Sequence, residues 1–191
     1  MRLFHLFSGA QAMAKRSDAT VWNQVAGMLS LEQRLETSLG RGETRSHGPE
    51  ISSQLGSIRG NALRHIRRLE EISGWSGGEE CREPESSGLE DVEPLQRDLR
   101  EDLALVSSTA GGYLMLLTAA RALGETELAE LAEQHLRDYA EGVVRILGVI
   151  PLVVVQSLRE GGAEVRAEAV PSVTRTVAEI WGSQVEPLAS M

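Results

Sequence analysis

Cysteine is almost absent from this chain, since Cys81 is the single one among 191 residues. One thiol cannot form a disulfide within the chain, and this usage is typical of proteins in reducing compartments. The residues around Cys81 are mainly acidic, which disfavours the thiolate that redox chemistry needs. We therefore predict a cytoplasmic protein in which this thiol has no redox role.

Positive charge is also scarce. The chain has 19 lysine and arginine residues against 28 acidic ones, which gives a formal net charge of −9. Nucleic-acid binding requires a concentrated positive field, whereas the basic cluster Arg64, Arg67 and Arg68 is followed by Glu70 and Glu71. We interpret the cluster as a solvated helix face and predict no nucleic-acid partner.

Long uninterrupted apolar segments are missing as well. The main apolar run, residues 143–155, contains Arg145 and Pro151 and is shorter than the roughly 18–20 residues of a membrane-crossing helix. Near the start, His5 interrupts an apolar run that would otherwise resemble a secretory signal. The sequence therefore predicts no membrane segment.

Several motif classes are absent too. The chain has no alternating strand pattern, no internal repeat, no glycine-rich phosphate loop, no Ser/His/Asp spacing and no paired-cysteine site. Gly111 and Gly112 lie inside a predicted helix, where they favour close helix packing rather than nucleotide binding.

Helical periodicity is what the sequence does contain. Apolar residues spaced three and four apart predict four long helices, at about residues 20–39, 49–72, 94–123 and 126–158, and a smaller one at about 171–181. We expect Gly40 and Gly42 to end the first helix, because glycine has low helix propensity. We expect the fourth helix to be bent or broken near Pro151.

The connections between these helices predict the topology. Residues 74–94 are rich in Gly, Ser, Pro and Glu, so they are expected to form a flexible acidic crossover. A short loop, a long crossover and a short loop are typical of a ferritin-like four-helix bundle. We predict an all-α protein with this bundle at residues 20–160, an arm or short helix at 1–19, and a tail helix within 161–191.

His65 is the main functional signal. It shares the apolar face of the second predicted helix with Ile58, Ala62 and Leu69. An inward histidine of this kind is one half of the metal site of a helix bundle, and the other half is a carboxylate one turn earlier. Neither Asn61 nor Ala62 supplies that carboxylate. A lone histidine on such a face is more often a core residue than a ligand.

Several strings carry a resemblance to a known family. They are Leu31–Glu36, His65–Glu70, Tyr113 with Leu116–Gly124, Leu128–Leu136 and Ile146–Leu158. In order and spacing, the chain resembles the bacterial stress-associated ferritin-like proteins of the YciE type over roughly residues 21–158. The resemblance implies a dimeric or larger bundle that can carry two iron or similar ions between its helices.

The resemblance implies ligand roles for Glu32 and His65, which match family positions on the first and second helices. On the third helix, Val106, Ser107 and Thr109 stand where the family commonly places glutamate and histidine. These three side chains cannot replace the missing charge, so the di-metal site is expected to be degenerate.

The fourth helix offers a second column of candidate ligands. His135, Asp138 and Glu141 follow one another at a spacing of three and therefore share a face. His135 also fits an ordinary packing row with Leu131 and Tyr139, and the two carboxylates also fit a solvated face.

Three functional hypotheses remain. The first is a non-enzymatic homodimeric bundle without a cofactor, with a structural or interaction role, in which a Glu32–His65 hydrogen bond replaces the metal. The second is an iron or other divalent-metal protein, binding or oxidising, with a remodelled site. Its ligands would be Glu32, His65, His135 and Asp138, with Glu36 or Glu141. The third is an assembly partner that uses the apolar end of the fourth helix and the tail helix.

Overall fold

The structure is a computed structural model that describes residues 4–45, 48–74 and 94–189, with side chains described from residue 21 to residue 180 of these ranges. It contains five helices, and the described residues include no strand. The helices are α1 (Phe4–Arg45), α2 (Pro49–Ser73), α3 (Pro94–Leu123), α4 (Thr126–Glu160) and α5 (Ala169–Ala189). The predicted all-α class is confirmed. Cys81 and residues 75–93 of the predicted crossover lie outside the described residues.

Helix α1 is longer than predicted at both ends. It begins at Phe4 and continues through Gly40 and Gly42 to Arg45. A Cβ atom at Gly42 would lie 3.2 Å from Leu55 Cδ1 of α2. The glycine therefore permits a close approach between helices, and this packing offsets a propensity cost of about 1 kcal/mol. The predicted end at residue 39 is wrong.

Helix α4 is continuous through Pro151, so the predicted break is absent. Proline cannot donate the hydrogen bond that a helix expects at this position. Pro151 is buried, however, together with Val149 and Val153 on the same stretch. Burial of these apolar side chains offsets the lost hydrogen bond. Helix α5 likewise exceeds its predicted length, since it runs from Ala169 to Ala189.

The first four helices pack in a ring. Helix α1 contacts α2 and α3, and α4 contacts the same two helices. Among the described residues, no Cα atom of α1 lies within 8 Å of α4, and none of α2 lies within 8 Å of α3, so these are the diagonal pairs. Helix α5 contacts α4 alone within the described ranges. The interior of the ring is where side chains of all four helices can meet.

Helices α3 and α4 are long and apolar enough to cross a membrane, judged by length and composition alone. In the most apolar stretches, 39% of α3 and 33% of α4 is buried inside the protein. Core helices of soluble proteins meet the same criterion, and both helices also bury polar residues, including Asp102 and His135. The absence of a membrane partner therefore stays a prediction.

Candidate functional site

A buried carboxylate lies at the centre of the helix ring. Glu32 occupies the same row of α1 as the buried residues Met28, Leu35 and Leu39, and it is 0% exposed. The helical spacing that buries its apolar neighbours buries Glu32 as well. A carboxylate removed from water costs several kcal/mol unless hydrogen bonds and opposite charge compensate it.

All four helices of the ring reach Glu32. The hydroxyl of Tyr113 on α3 donates to Glu32 Oε1 over 2.5 Å, and the hydroxyl of Tyr139 on α4 donates to Oε2. His65 Nδ1 on α2 lies 3.2 Å from Oε1, which is the predicted pairing of these two residues. Both oxygens of Glu32 are therefore hydrogen-bonded by groups of the protein itself.

The two tyrosines are held in their protonated form. Burial, followed by the charge of Glu32, raises the pKa of Tyr113 and of Tyr139 well above the ordinary value. Their rings stack with centroids 5.9 Å apart and an interplanar angle of 18°. Both hydroxyls therefore act as hydrogen-bond donors to Glu32.

His65 lies between two carboxylates. Its Nδ1 atom faces Glu32, and its Nε2 atom lies 2.9 Å from Asp138 Oδ2 of α4. Asp138 Oδ1 also accepts a hydrogen bond from Gln134 Nε2 over 3.0 Å. The two ring nitrogens of His65 therefore link the carboxylate of Glu32 on α1 to that of Asp138 on α4.

His135 stacks on His65. The ring centroids are 3.7 Å apart with an interplanar angle of 19°. The His135 ring also meets the Tyr113 ring edge to face, with centroids 4.9 Å apart. Burial, then the charge of His65 and of the nearby Arg68 and Arg64, lowers the pKa of His135 to about 2. His135 is therefore neutral at pH 7. Its Nδ1 atom is buried without a hydrogen-bond partner.

Three of these residues have a geometry that suits a metal ion. One ligand atom each from Glu32, His65 and His135 lie within 4.8 Å of one another. Two imidazoles and a carboxylate suit zinc, copper, iron or a similar ion. The set fits one ion better than two, because Asp138, 21% exposed, is the one carboxylate in contact with it besides Glu32. An ion would compete with the tyrosine hydroxyls for the oxygens of Glu32.

The remaining predicted ligands form ion pairs with arginine instead. Glu36 accepts a hydrogen bond from Arg59 Nε over 2.8 Å, which links α1 to α2. Glu141 is exposed and accepts from Arg145 over 2.5 Å on its own helix. Neither residue belongs to the group of ligand atoms around Glu32.

Sequence reasoning missed the roles of the tyrosines. The sequence places Tyr113 on the apolar face of the third helix and in the strings that carry the resemblance, and Tyr139 in a packing row. A usable signal was present, because a buried tyrosine hydroxyl needs a partner and Glu32 needs donors. Asp102 was also missed, although it lies between Leu99 and Val106 on the buried face of α3.

Comparisons with known proteins bear on the fold. No model of a known protein family matches the chain, and no curated protein matches it. The structure is similar to the crystal structure of a protein from Xanthomonas campestris pv. campestris, with a TM-score of 0.63 and 19% sequence identity. The similarity covers 77% of this chain and 99% of the other. At this identity the likeness shows the helical fold alone.

Proposed function

We propose that this protein is a ferritin-like four-helix bundle that has lost most of its di-metal ligands and has a structural or interaction role rather than an enzymatic one. The ring of contacts among α1, α2, α3 and α4 supports the bundle. The order of connections supports the ferritin-like topology, since residues 46–48 and 124–125 are short links and residues 74–93 are a long one.

The hydrogen bonding of Glu32 carries this proposal. In a metal centre, the carboxylate oxygens are held available for the ion. Here Oε1 accepts from Tyr113 and Oε2 from Tyr139, while His65 supplies a further contact to Oε1. The protein thus compensates the buried carboxylate with its own groups, and the interior needs no ion to satisfy it.

Iron loading tests the proposal. The purified chain is loaded with ferrous iron without oxygen, its metal content is measured after desalting, and oxidation is followed by absorbance after air is admitted. We expect no stoichiometric iron and no protein-dependent oxidation, with the same trace for His65→Ala. Stoichiometric iron that the His65→Ala variant loses would overturn the proposal.

A second candidate function is binding of a single divalent ion by Glu32, His65, His135 and Asp138. The buried and unpartnered Nδ1 of His135 favours it, because a neutral imidazole nitrogen is ready to coordinate. In this case Tyr113→Phe and Tyr139→Phe raise the affinity for the ion, because each frees an oxygen of Glu32.

Cobalt(II) titration separates the two candidates, since ligand binding gives cobalt a visible spectrum. The single-ion site predicts a saturable signal that His135→Ala abolishes and Tyr139→Phe strengthens. Glu141→Gln is the control, because this exposed carboxylate pairs with Arg145 and does not belong to the group of ligand atoms. A signal absent from all variants supports the metal-free bundle.

We also propose that the protein forms a cytoplasmic homodimer through its tail helix. Helix α5 contacts α4 alone within the described ranges and leaves Val173 47% exposed. Light scattering of Val173→Glu tests this, with Thr174→Glu as the matched control on the same exposed stretch. We expect a dimer that Val173→Glu weakens, whereas an unchanged mass in both variants would exclude this surface.

A further inference from the structure

A second buried polar cluster lies between α1 and α3, apart from the function proposed above. Asp102 on α3 is 0% exposed, in the buried row that contains Leu99 and Val106. Ser38 Oγ on α1 donates a hydrogen bond to Asp102 Oδ1 over 2.5 Å. The other oxygen, Oδ2, is buried without a hydrogen-bond partner.

The surroundings of Oδ2 are confined and apolar. A Cβ atom at Gly42 of α1 would lie 3.4 Å from Oδ2 and 3.2 Å from Leu55 Cδ1 of α2. A single methyl group would therefore already fill the space between the helices. A proton is the one cation that needs no additional room, so it is the ligand that suits this oxygen.

Charged groups act on Asp102 from two helices. Asp98 and Glu101 lie on its own helix, and Arg41 and Arg45 lie on α1, where Arg45 Nη1 donates to Asp98 Oδ2 over 2.5 Å. Burial, with the charges of Asp98 and Glu101, outweighs the Ser38 hydrogen bond and Arg41, and it raises the pKa of Asp102 to about 7.

The other two helices of the ring also bring residues near this segment. Helix α2 contributes the uncharged Leu55 beside Gly42, and its Arg59, beside Gly40, pairs with Glu36 and Glu43 of α1. Helix α4 packs against α3 one turn beyond Asp102, at Val106. A Cβ atom at Gly142 of α4 would lie 3.5 Å from Val106 Cγ1. The charged residues of α4 near this level, Glu141 and Arg145, pair with each other.

We propose that Asp102 is a proton-controlled latch for the last turns of α1, closed when its carboxyl is neutral and loosened when it ionises. An ionised Asp102 attracts the Arg41 side chain, and it competes with Asp98 for the hydrogen bond that Arg45 donates. These arginines lie in the segment that contains Gly40 and Gly42, each of which costs a helix about 1 kcal/mol relative to alanine. This segment is therefore the part of α1 that we expect to unwind most easily.

The sign of the effect follows from proton linkage. Asp102 in the closed segment holds its proton up to about pH 7, whereas an opened segment exposes a carboxyl with the ordinary pKa of 3.8. Opening therefore becomes more favourable as the pH rises through this interval and levels off above it. Between pH 6 and pH 8 the opening equilibrium is expected to rise about tenfold.

Hydrogen exchange of the full chain tests the latch. Backbone exchange of peptides that cover residues 40–45 is measured by mass spectrometry from pH 6 to pH 8, and corrected for intrinsic rates, under conditions where exchange reports the opening equilibrium. We expect the roughly tenfold rise in the natural chain and none in Asp102→Asn, which mimics the neutral carboxyl. Glu130→Gln is the control, since this exposed carboxylate of α4 is not among the charges that act on Asp102, and its variant should keep the rise.

Ser38→Ala adds a readout that a purely structural role would not move. It removes the hydrogen bond that lowers the pKa of Asp102, so the pH midpoint of opening should increase. The latch is wrong if Asp102→Asn retains the rise, if the natural chain shows no rise, or if Ser38→Ala leaves the midpoint unchanged.

Discussion

Tyr113 of α3 and Glu32 of α1, 81 residues apart in the chain, are joined by a buried hydrogen bond of 2.5 Å from the hydroxyl to Oε1. Tyr139 of α4 donates to the other oxygen of the same carboxylate. These bonds tie one neighbouring helix, α3, and the diagonal helix α4 to a single carboxylate of α1. The stability of the helix ring should therefore depend on both hydroxyls.

Replacing either tyrosine by phenylalanine should destabilise the fold. Tyr113→Phe or Tyr139→Phe leaves one oxygen of Glu32 buried without that donor, which should lower the free energy of unfolding by about 1–3 kcal/mol. Urea unfolding at pH 7 measures the change. Thr118→Ala, an exposed change on α3, is the control and should stay within about 0.5 kcal/mol. If the tyrosine variants lose no more unfolding free energy than this control, the hydroxyls do not stabilise the fold.

The two adjacent glycines of α3 should respond in opposite directions to alanine. A Cβ atom at Gly112 would clash with Met28 Sδ, whereas nothing lies within 4 Å of one at Gly111. The predicted close packing is therefore confirmed at Gly112 and absent at Gly111. We expect Gly112→Ala to cost about 1–3 kcal/mol through overpacking. Gly111→Ala should add up to about 1 kcal/mol through helix propensity. Thermal or urea unfolding of the two variants measures both changes in stability. Equal effects would contradict the difference in packing.

Global stability should fall as the pH rises toward neutrality because of Asp102. Its pKa is about 7 in the folded protein against 3.8 in an exposed chain, so the folded state holds the extra proton in that interval. The contribution of Asp102 to the free energy of unfolding is fully favourable below about pH 4 and is lost by about pH 7. This is a change on the order of a few kcal/mol. Asp102→Asn should thus be more stable than the natural chain at pH 8 and closer to it at pH 4.5. Urea unfolding at both pH values measures this, and a constant difference would exclude it.

The ion pairs between α1 and α2 should matter far less than the buried network. Arg59 bonds to Glu36 and Glu43, but its side chain is 39% exposed. Arg59→Met, which keeps most of the aliphatic stem, should cost less than about 1 kcal/mol, and the cost should shrink further in high salt. Unfolding in low and high salt measures it, with Arg68→Met as the surface control. A salt-independent loss of several kcal/mol would show that this pair is effectively buried.

Local sequence was sufficient to predict the helices and their buried faces. The spacing of apolar residues placed His65 and His135 on inward rows, because helical periodicity depends only on neighbours along the chain. It failed at Gly40 and Gly42, where propensity indicated the end of α1, and no break occurs at Pro151. Packing against other helices outweighs a local penalty of this kind, and that packing is not visible in a window of neighbouring residues.

The partners of the buried polar groups depended on the tertiary fold. Sequence alone determined a helical chain with a histidine on the apolar face of the second helix, and it offered a Glu32–His65 pair as one hypothesis. It did not specify that Tyr113 and Tyr139 would donate to Glu32, nor that Asp102 would meet Ser38, 64 residues away. Such contacts depend on the relative rotation and axial position of packed helices. The packing of many side chains along the whole ring determines that alignment, so no single segment encodes it.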